Sequence, residues 1–313
     1  MKEISIIIPY LNEPDNQVYK TVKNIYETAS DSKFEIIVID DCSKEKYIAD
    51  LKSFPGVRHI RNQKRLGSGA SKHLGMTLAN TKFLCVLDAH MRFSRGWLDL
   101  ALECVSREPE TCWCTSCMQL GYGVETLERA TVEYTAATIL FLDQDAHHGT
   151  PCREIVEAKW SQKKLEEVEY EVPCILGANY ILSKKWVDHI KGLKGLTMWG
   201  TEEPFLSLKT WMAGGKCKIN RRIRIGHFFR DRAPYATNVW ALVYNKMFLC
   251  KTILPEEIGN KLIGYMPKNG SFSLAMAEIE KNSKSIEEDR QYYQSIFKAS
   301  IQDYCHRFNI QLP

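Results

Sequence analysis

Residues 83–90, Phe-Leu-Cys-Val-Leu-Asp-Ala-His, join five apolar residues to an acid, a small residue and a histidine. A short apolar run of this kind is typical of a strand that is buried on both faces. Asp88 and His90 are two positions apart, so on an extended chain their side chains point the same way. Such a pair can hold a divalent cation, and mixed oxygen and nitrogen ligands suit Mn²⁺ better than Ca²⁺. The alternative is a strand end whose polar residues turn into solvent.

The segments before this strand alternate between apolar runs and helical spacing. Strands are predicted at 4–9, 35–39 and 57–61, and helices at 18–28, 46–54 and 71–79. This alternation is the signature of a parallel, doubly wound α/β sheet. Right-handed crossovers bring the carboxyl ends of parallel strands to one edge, where such sheets bind ligands.

Three predicted strands are followed directly by polar residues, at 10–13, 40–41 and 88–90. We expect these three segments, called strand exits below, to lie together at one edge of the sheet. Adjacent acids such as Asp40 and Asp41 repel each other unless a cation or hydrogen-bond donors face them. The first strand runs into Pro9-Tyr-Leu-Asn12-Glu13 without a glycine fingerprint, which excludes the usual dinucleotide site. A metal at the 88–90 exit would neutralise phosphate instead.

The second half of the chain contains further strands, helices and glycine-bearing turns. A helix is predicted at 97–106, strands at 112–120, 172–182 and 216–225, and helices at 204–212, 239–248 and 279–308. Gly177 and Ala178 interrupt one strand and allow a ligand to approach the backbone closely. Residues 282–289 are polar and are predicted to be a mobile connection.

Composition limits the class of protein. The chain has 313 residues with 44% hydrophobic content, enough for a sizeable core, and its net charge of +4 does not by itself indicate nucleic-acid binding. The apolar run at 4–8 is too short for a signal peptide or a membrane span. A soluble cytoplasmic protein is expected, and a viral protein in a host cytoplasm is compatible with this.

Eleven cysteines are present, an odd number that cannot pair fully within one chain. Cys112, Cys114 and Cys117 have a spacing that suggests zinc, but no second half-site follows, so buried thiols on a strand are favoured. Asp-Ala-His recurs at 145–147, next to His148. This repeat is interpreted as chance or as part of an acceptor loop, with a second metal site as the alternative.

Several motifs together resemble a known family. Three motifs resemble those of nucleotide-sugar glycosyltransferases of the GT-A fold: Ser-Ile-Ile-Ile-Pro-Tyr-Leu-Asn-Glu at 5–13, Ile-Val-Ile-Asp-Asp at 37–41 and Leu-Asp-Ala-His at 87–90. The motif at 5–13 resembles the family-two transferases in particular. Trp199-Gly-Thr-Glu202, the Trp211-x-x-Gly-Gly that ends the next helix, and Arg224-Ile-Gly-His-Phe-Phe-Arg230 are similar to motifs of the polypeptide N-acetylgalactosaminyltransferases. The resemblance covers residues 5–232, most of the chain.

The resemblance implies a GT-A fold, a Rossmann-like, mostly parallel sheet with helices on both faces. Residues 1–235 would form the catalytic domain, with a nucleotide-binding half at 1–90 and a sugar and acceptor half at 91–235. Residues 236–313 would form a C-terminal helical extension.

It also implies roles for individual residues. Mn²⁺ or another divalent cation would bind Asp88, His90 and His227. The residues expected to bind the UDP-sugar are Pro9, Asn12, Glu13, Asp40, Asp41, Arg65, Gly67, Gly177 and Ala178. Glu202 would lie beside the sugar, Arg230 would reach the diphosphate, and Trp199 would belong to a loop over the sugar. Family chemistry retains the anomeric configuration.

The chain also departs from the family. It is expected to have neither the family's membrane anchor nor its lectin domain, and it has Trp-Gly-Thr-Glu-Glu where the family has Trp-Gly-Gly-Glu-Asn. The expected reaction is therefore transfer of GalNAc, Glc or GlcNAc to a hydroxyl of protein Ser/Thr or of a glycan. Basic clusters at 58–65 and 216–232 leave a hydroxylated pyrimidine base in DNA as an alternative acceptor. A non-catalytic nucleotide-sugar-binding protein and a nucleotidyltransferase are further alternatives.

Overall fold

A ten-stranded mixed sheet forms the centre of the computed structural model, which describes residues 2–29, 33–121, 123–143, 145–230 and 234–313. The strands are β1 Ile4–Tyr10, β2 Phe34–Asp40, β3 Val57–Arg61, β4 Phe83–Leu87, β5 Met91–Phe93, β6 Thr111–Leu120, β7 Glu133–Tyr134, β8 Ala136–Leu142, β9 Ile155–Ser161, β10 Glu169–Glu171, β11 Asn179–Ser183 and β12 Lys216–Phe228. The helices are α1 Gln17–Thr28, α2 Ser68–Leu78, α3 Trp97–Arg107, α4 Lys184–His189, α5 Glu202–Met212, α6 Val239–Thr252, α7 Glu256–Tyr265, α8 Gly270–Lys281, α9 Ser283–Ile296 and α10 Ile301–Phe308.

The main path of the sheet has the strand order β10-β12-β6-β11-β4-β1-β2-β3. Strand β1 pairs in parallel with β2 and β4, β2 with β3, and β6 with β12. Strand β11 runs antiparallel between β4 and β6. Consequently the carboxyl ends of β1, β2, β4, β6 and β12 meet at one edge, together with the amino end of β11. The predicted α/β fold is confirmed.

The apolar strands and the amphipathic helices account for the core. Strands β1 and β4 are buried along their whole length, as expected for central strands with helices on both faces. Helix α1 buries Val18, Val22 and Ile25, which recur at helical spacing. Trp97 at the start of α3 is fully buried and stacks on Phe93, with ring centroids 4.4 Å apart.

The C-terminal helices pack against the elements that carry the polar edge of the sheet. Helix α6 is buried on nearly every face and contacts α7, α8 and α9. Helix α10 packs on α5, where the phenol of Tyr304 donates to the Pro173 carbonyl at 2.9 Å and Trp211 meets Phe308. These helices therefore support α5 from behind. The division of the chain into 1–235 and 236–313 stays a prediction.

Three predictions of local structure are wrong. The strand predicted at 172–182 begins only at Asn179, because Gly177 and Ala178 form a turn before β11. Residues 46–54 do not form a helix; only a single 3-10 turn, Glu45–Tyr47, is present. The Ala49 amide donates to the Tyr10 hydroxyl at 3.2 Å, and the Asp50 side chain accepts from the Lys52 amide at 3.2 Å. These local bonds replace helical ones, and Pro55 follows directly.

Residues 282–289 are not a mobile connection, because α9 begins at Ser283 and runs through them. Asp289 is only 3% exposed and pairs with Lys191 at 2.9 Å and Lys194 at 2.8 Å. The polar sequence of this segment reflects the exposed face of α9 together with one buried acid.

Cys112, Cys114 and Cys117 lie on β6 and are fully buried, as the strand interpretation predicted. Burial raises the pKa of each thiol, so all three are protonated and inert near neutral pH.

Within the described residues, no helix combines the length and the apolar character that a membrane-spanning segment needs.

Candidate active site

A cavity of about 290 Å³ opens at the carboxyl edge of the sheet. Thirteen of the fifteen predicted site residues line it: Pro9, Glu13, Asp41, Arg65, Gly67, Asp88, His90, Gly177, Ala178, Trp199, Glu202, His227 and Arg230. The strand topology explains this convergence, because the exits of β1, β2, β4 and β12 and the entry of β11 share this edge.

Three potential metal ligands converge in this cavity. The ligand atoms of Asp88, His90 and His227 lie within 4.8 Å of one another. The Nε2 atoms of the two histidines are 3.0 Å apart, and His227 Nε2 is 3.3 Å from Asp88 Oδ2. Two imidazole nitrogens and a carboxylate oxygen are a donor set that first-row divalent cations accept.

The protonation states of these residues also fit a cation. Burial lowers the pKa of His90 and of His227, so both imidazoles are neutral near pH 7 and keep a lone pair for a ligand. Burial alone would raise the pKa of Asp88, but Lys72 and the hydrogen bond to His227 outweigh it and hold that pKa below its usual range. The site therefore presents one carboxylate and two neutral imidazoles.

Glu13 lies behind the metal ligands and connects two predicted site residues. Its Oε1 atom is 3.3 Å from His90 Nδ1 and also contacts the guanidinium of Arg230. A carboxylate on the far nitrogen of a histidine fixes its tautomer and leaves Nε2 available to a metal. Glu13 is thus close enough to His90 to orient this candidate metal ligand, a position that its strand end alone did not indicate.

Asp41 lines the cavity, but its carboxylate is occupied by hydrogen bonds from the loop at 62–71. Oδ1 accepts from the Leu66 amide at 2.8 Å and from Asn62 Nδ2 at 2.8 Å, and Oδ2 accepts from the Gly67 amide at 2.7 Å. The hydroxyl of Ser71 adds a fourth contact at 3.1 Å. Asp41 therefore shapes the loop that carries Arg65.

Asp40 and Asn12 are the two predicted residues that do not line the cavity. Asp40 is fully buried, accepting from the Ser43 amide at 2.7 Å and from Arg61 at 2.9 Å. Asn12 has a left-handed φ of 50° and accepts from the Lys44 amide at 2.9 Å. Both side chains hold the turns after β1 and β2.

Glu202 and Glu203 start helix α5 beside the cavity. Glu202 is 6% exposed and accepts from the Gly200 amide through Oε2 at 2.8 Å, whereas Oε1 is buried without a hydrogen-bond partner among the described residues. Burial raises the pKa of Glu202, and burial together with Glu202 raises the pKa of Glu203 to about 7. A Cβ at position 177 would lie 2.3 Å from Glu203 Oε1, so a larger residue there would force the Glu203 side chain to move.

The loop that carries Trp199 is held by backbone pairing and by one buried amide. The Met198 amide donates to the Leu66 carbonyl at 2.9 Å, and the Gly69 amide donates to the Met198 carbonyl at 3.0 Å. Asn245 on α6 donates to the carbonyls of Thr197 and Gly200 at 2.7 and 2.9 Å. Trp199 itself is 41% exposed at the cavity rim.

Two arginine side chains line the cavity. Arg65 donates to the Ala236 carbonyl at 3.0 Å and lies over the ring of Tyr235 at 5.1 Å. Arg230 contacts Glu13 and follows β12 directly. Both arginines are therefore tethered, and a diphosphate between them would meet two cations.

Several cavity residues were missed from the sequence. Lys72, Trp160, Glu203, Phe229 and Tyr235 all line the cavity. Trp160 and Phe229 meet edge to face at 6.0 Å, and Phe229 lies 4.6 Å from the His227 ring. Only Trp160 of this aromatic wall comes from the 121–171 region, where the sequence shows no recognisable motif. Trp160 lies on β9, and nothing in the sequence around it distinguishes it from an ordinary strand residue.

The second Asp-Ala-His sequence does not form a metal site in the described part of the chain. There, the group of acids, histidines and cysteines close enough to share an ion is Asp88, His90 and His227. His147 and His148 are exposed, and His148 packs on Tyr265.

The basic clusters are largely neutralised by acids. Lys216 pairs with Glu171 at 3.0 Å, and Lys218 pairs with Glu108 at 2.8 Å. The other measured pairs are Arg222 with Glu169, Arg61 with Asp40 and Arg58 with Glu35. Residues 231 and 232 of the second cluster lie outside the described residues.

The chain matches the family described as Glycosyl transferase family 2 over residues 5–189. It is 26% identical over 330 residues to polypeptide N-acetylgalactosaminyltransferase 4 of Mus musculus, covering 97% of this chain and 56% of that protein. It is 24% identical over 293 residues to polypeptide N-acetylgalactosaminyltransferase 10 of Homo sapiens, covering 90% of this chain and 47% of that protein. The chain thus spans about half the length of the curated relatives it matches.

Solved structures share the fold. GalNAc-T7 crystallised with UDP, GalNAc and Mn²⁺ has a TM-score of 0.70 at 18% identity, over 98% of this chain and 57% of that one. TarS 1–349 of S. aureus in complex with UDP-GlcNAc has a TM-score of 0.52 at 11% identity, over 98% of this chain and 92% of that one. At these identities the likeness concerns the fold.

Proposed function

The chain belongs to glycosyl transferase family 2, and from this premise we propose that it is a metal-dependent, retaining glycosyltransferase. It would move GalNAc, Glc or GlcNAc from a UDP-sugar to a hydroxyl of protein Ser/Thr or of a glycan. The observation that carries the proposal is the convergence of Asp88, His90 and His227 in a cavity that Arg65 and Arg230 also line.

The donor set fits a divalent cation. The Nε2 atoms of His90 and His227 lie 3.0 Å apart, close enough for one imidazole N–H to donate to the other or for both nitrogens to bind one cation. Asp88, His90 and His227 would hold Mn²⁺, which when bound acts as a Lewis acid on the diphosphate leaving group. GalNAc-T7, the structural relative, was crystallised with this metal, with UDP and with GalNAc.

The protein side chains would divide the remaining work. Arg230 and Arg65 would donate hydrogen bonds to the diphosphate as negative charge develops on it. Glu202 Oε1, which is buried without a partner among the described residues, would accept from a sugar hydroxyl. Gly177 and Ala178 would let the sugar ring approach the backbone of β11 closely.

The acceptor would enter past Trp160 and Phe229. An aromatic wall beside the leaving group suits a peptide or a glycan, since both present apolar faces that pack on rings. DNA is the weaker alternative, because Lys216, Lys218 and Arg222 are paired with acids and do not form a free basic surface.

The test is slow hydrolysis of a panel of UDP-sugars without acceptor, with Mn²⁺ or with EDTA. We expect UDP release from one sugar, abolished by EDTA and by His227→Ala. His147→Ala, which removes an exposed histidine, should behave as wild type. No turnover of any UDP-sugar together with no UDP binding would overturn the proposal.

A further inference from the structure

Lys72 is a lysine whose ammonium group is buried in the cavity. It lies on α2 and is 5% exposed. Its Nζ atom lies 3.2 Å from Asp88 Oδ1 and 6.0 Å from the ring centre of Tyr180. A lysine is almost never buried in this way without a partner, so the Asp88 contact accounts for its placement.

The two oxygens of Asp88 face different groups. Oδ1 contacts Lys72, whereas Oδ2 lies 3.3 Å from His227 Nε2, on the side where the three ligands converge. Lys72 therefore takes one oxygen and leaves the other for a metal ion. The carboxylate is held in a single orientation by cationic and neutral neighbours on opposite sides.

The charges of this group balance. Asp88 contributes one negative charge, Lys72 contributes one positive charge, and the two imidazoles are neutral. A divalent cation that enters alone meets no net charge from these four side chains and an ammonium group within the same cavity. Of the other acids nearby, Glu13 is paired with Arg230, and Glu202 and Glu203 also attract Lys72. A diphosphate that enters with the cation brings the negative charge that the site lacks.

We propose that Lys72 balances the charge of Asp88 and thereby makes binding of the divalent cation depend on the diphosphate of the nucleotide. This inference rests on the proposed function and deepens it, because it assigns a positioning residue that the sequence did not indicate. The metal and the nucleotide then bind as a pair.

Removing Lys72 would have two opposing effects on binding of the metal alone. Loss of the orienting contact with Asp88 weakens binding by about tenfold at most, the range of a freed rotamer. Loss of a positive charge from the same cavity strengthens binding by more than that, since charges a few ångströms apart interact strongly in a partly buried site. The charge effect dominates, so metal affinity should rise.

The experiment measures free Mn²⁺ by electron paramagnetic resonance in titrations of the purified protein, with and without UDP. In wild type, UDP should tighten Mn²⁺ binding at least about tenfold. Lys72→Met should bind Mn²⁺ alone at least about tenfold more tightly than wild type and gain less from UDP. Lys72→Gln is a second neutral variant, and circular dichroism identifies the variants that fold.

Two further variants separate charge from shape. Lys72→Arg keeps the charge and should stay close to wild type. Lys82→Met removes an exposed lysine at the opposite end of β4 and should change nothing. Unchanged or weaker Mn²⁺ binding in the neutral Lys72 variants, or a Lys72→Arg protein that behaves like them, would overturn the proposal.

The wild-type titration tests the proposal without any variant. If wild type binds Mn²⁺ equally well with and without UDP, the role of Lys72 is wrong while the proposed function stands. If wild type binds no Mn²⁺ even with UDP, the proposed metal-dependent function fails, and this inference fails with it.

Discussion

The Nε2 atoms of His90 and His227 lie 3.0 Å apart, although 137 positions separate the two residues in the sequence. His90 follows β4 and His227 lies near the end of β12, and these strands end at the same edge of the sheet. Two neutral imidazoles in this position need a proton or a cation between them. The contact therefore links the fold directly to the proposed metal site.

The first prediction concerns stabilisation by the metal. Mn²⁺ together with UDP should raise the melting temperature of the wild type by about 4 °C when both are well above their dissociation constants, because ligands that bind only the folded state stabilise it. His227→Ala should lose this shift. Differential scanning fluorimetry with Mn²⁺, with UDP and with both measures it, and an equal shift in His227→Ala would place the metal elsewhere.

The second prediction concerns Glu13. Glu13→Gln removes the negative charge that faces both His90 Nδ1 and Arg230. We expect Mn²⁺ affinity in the presence of UDP to fall by about 10- to 100-fold, as is usual when the partner of a histidine ligand is lost. Calorimetric titration measures the change.

Glu27→Gln is the matched control for Glu13, since Glu27 lies exposed on α1 and pairs only weakly with Lys23 at 3.2 Å. Metal binding in this control should equal that of wild type. A Glu13→Gln protein with unaltered Mn²⁺ affinity would show that Glu13 does not orient His90.

The third prediction uses two glycines with similar backbone conformations. Gly67 has a φ of +91° and Gly56 a φ of +84°. A Cβ at position 67 would lie 1.8 Å from the Met198 Cα, whereas nothing lies within 4 Å of one at position 56. Gly56→Ala should therefore cost about 1 kcal/mol of unfolding free energy from backbone strain alone.

Gly67→Ala should cost more, about 3 kcal/mol, because the loop at 66–69 must separate from Met198. It should also weaken UDP binding, since Arg65 and Trp199 belong to the two segments that separate. Urea denaturation and UDP titration of both variants measure these effects. Equal stabilities of the two variants would mean that the Met198 contact contributes nothing.

Much of the site followed from the pattern of the strands. Apolar runs that end abruptly on polar residues placed Glu13, Asp41 and Asp88 at one edge, because parallel strands leave no other arrangement. His227 could be assigned only through the resemblance, since pairing of β12 with β6 is a long-range feature that local spacing does not encode.

The failures have physical causes. Lys72 lies near the polar start of α2, which the sequence alone suggests is exposed, and its burial depends on the packing of α2 against β1. Asp41 was expected to bind the UDP-sugar, and the local sequence does not indicate that the amides at 66 and 67 donate to its carboxylate. Segment 46–54 has helical spacing, but bonds to Tyr10 and the following proline decide its conformation.

The last prediction concerns pH and His73, which lies on α2 behind the cavity. Burial, together with Lys209 and Lys194, lowers the pKa of His73 to about 4. In the unfolded chain a histidine has a pKa near 6.5, so below that pH the unfolded state binds a proton that the folded state does not bind. This contribution to stability is intact above about pH 6.5 and is lost as the pH falls towards 4.

Between pH 7 and pH 4.5 the loss from His73 should amount to about 2 kcal/mol of unfolding free energy. His73→Gln should therefore be less sensitive to acid than wild type by that amount, whatever its stability at pH 7. Urea denaturation at both pH values measures the difference, with His306→Gln on exposed α10 as the control. If His73→Gln and wild type lose the same free energy between the two pH values, His73 is not held neutral by its surroundings.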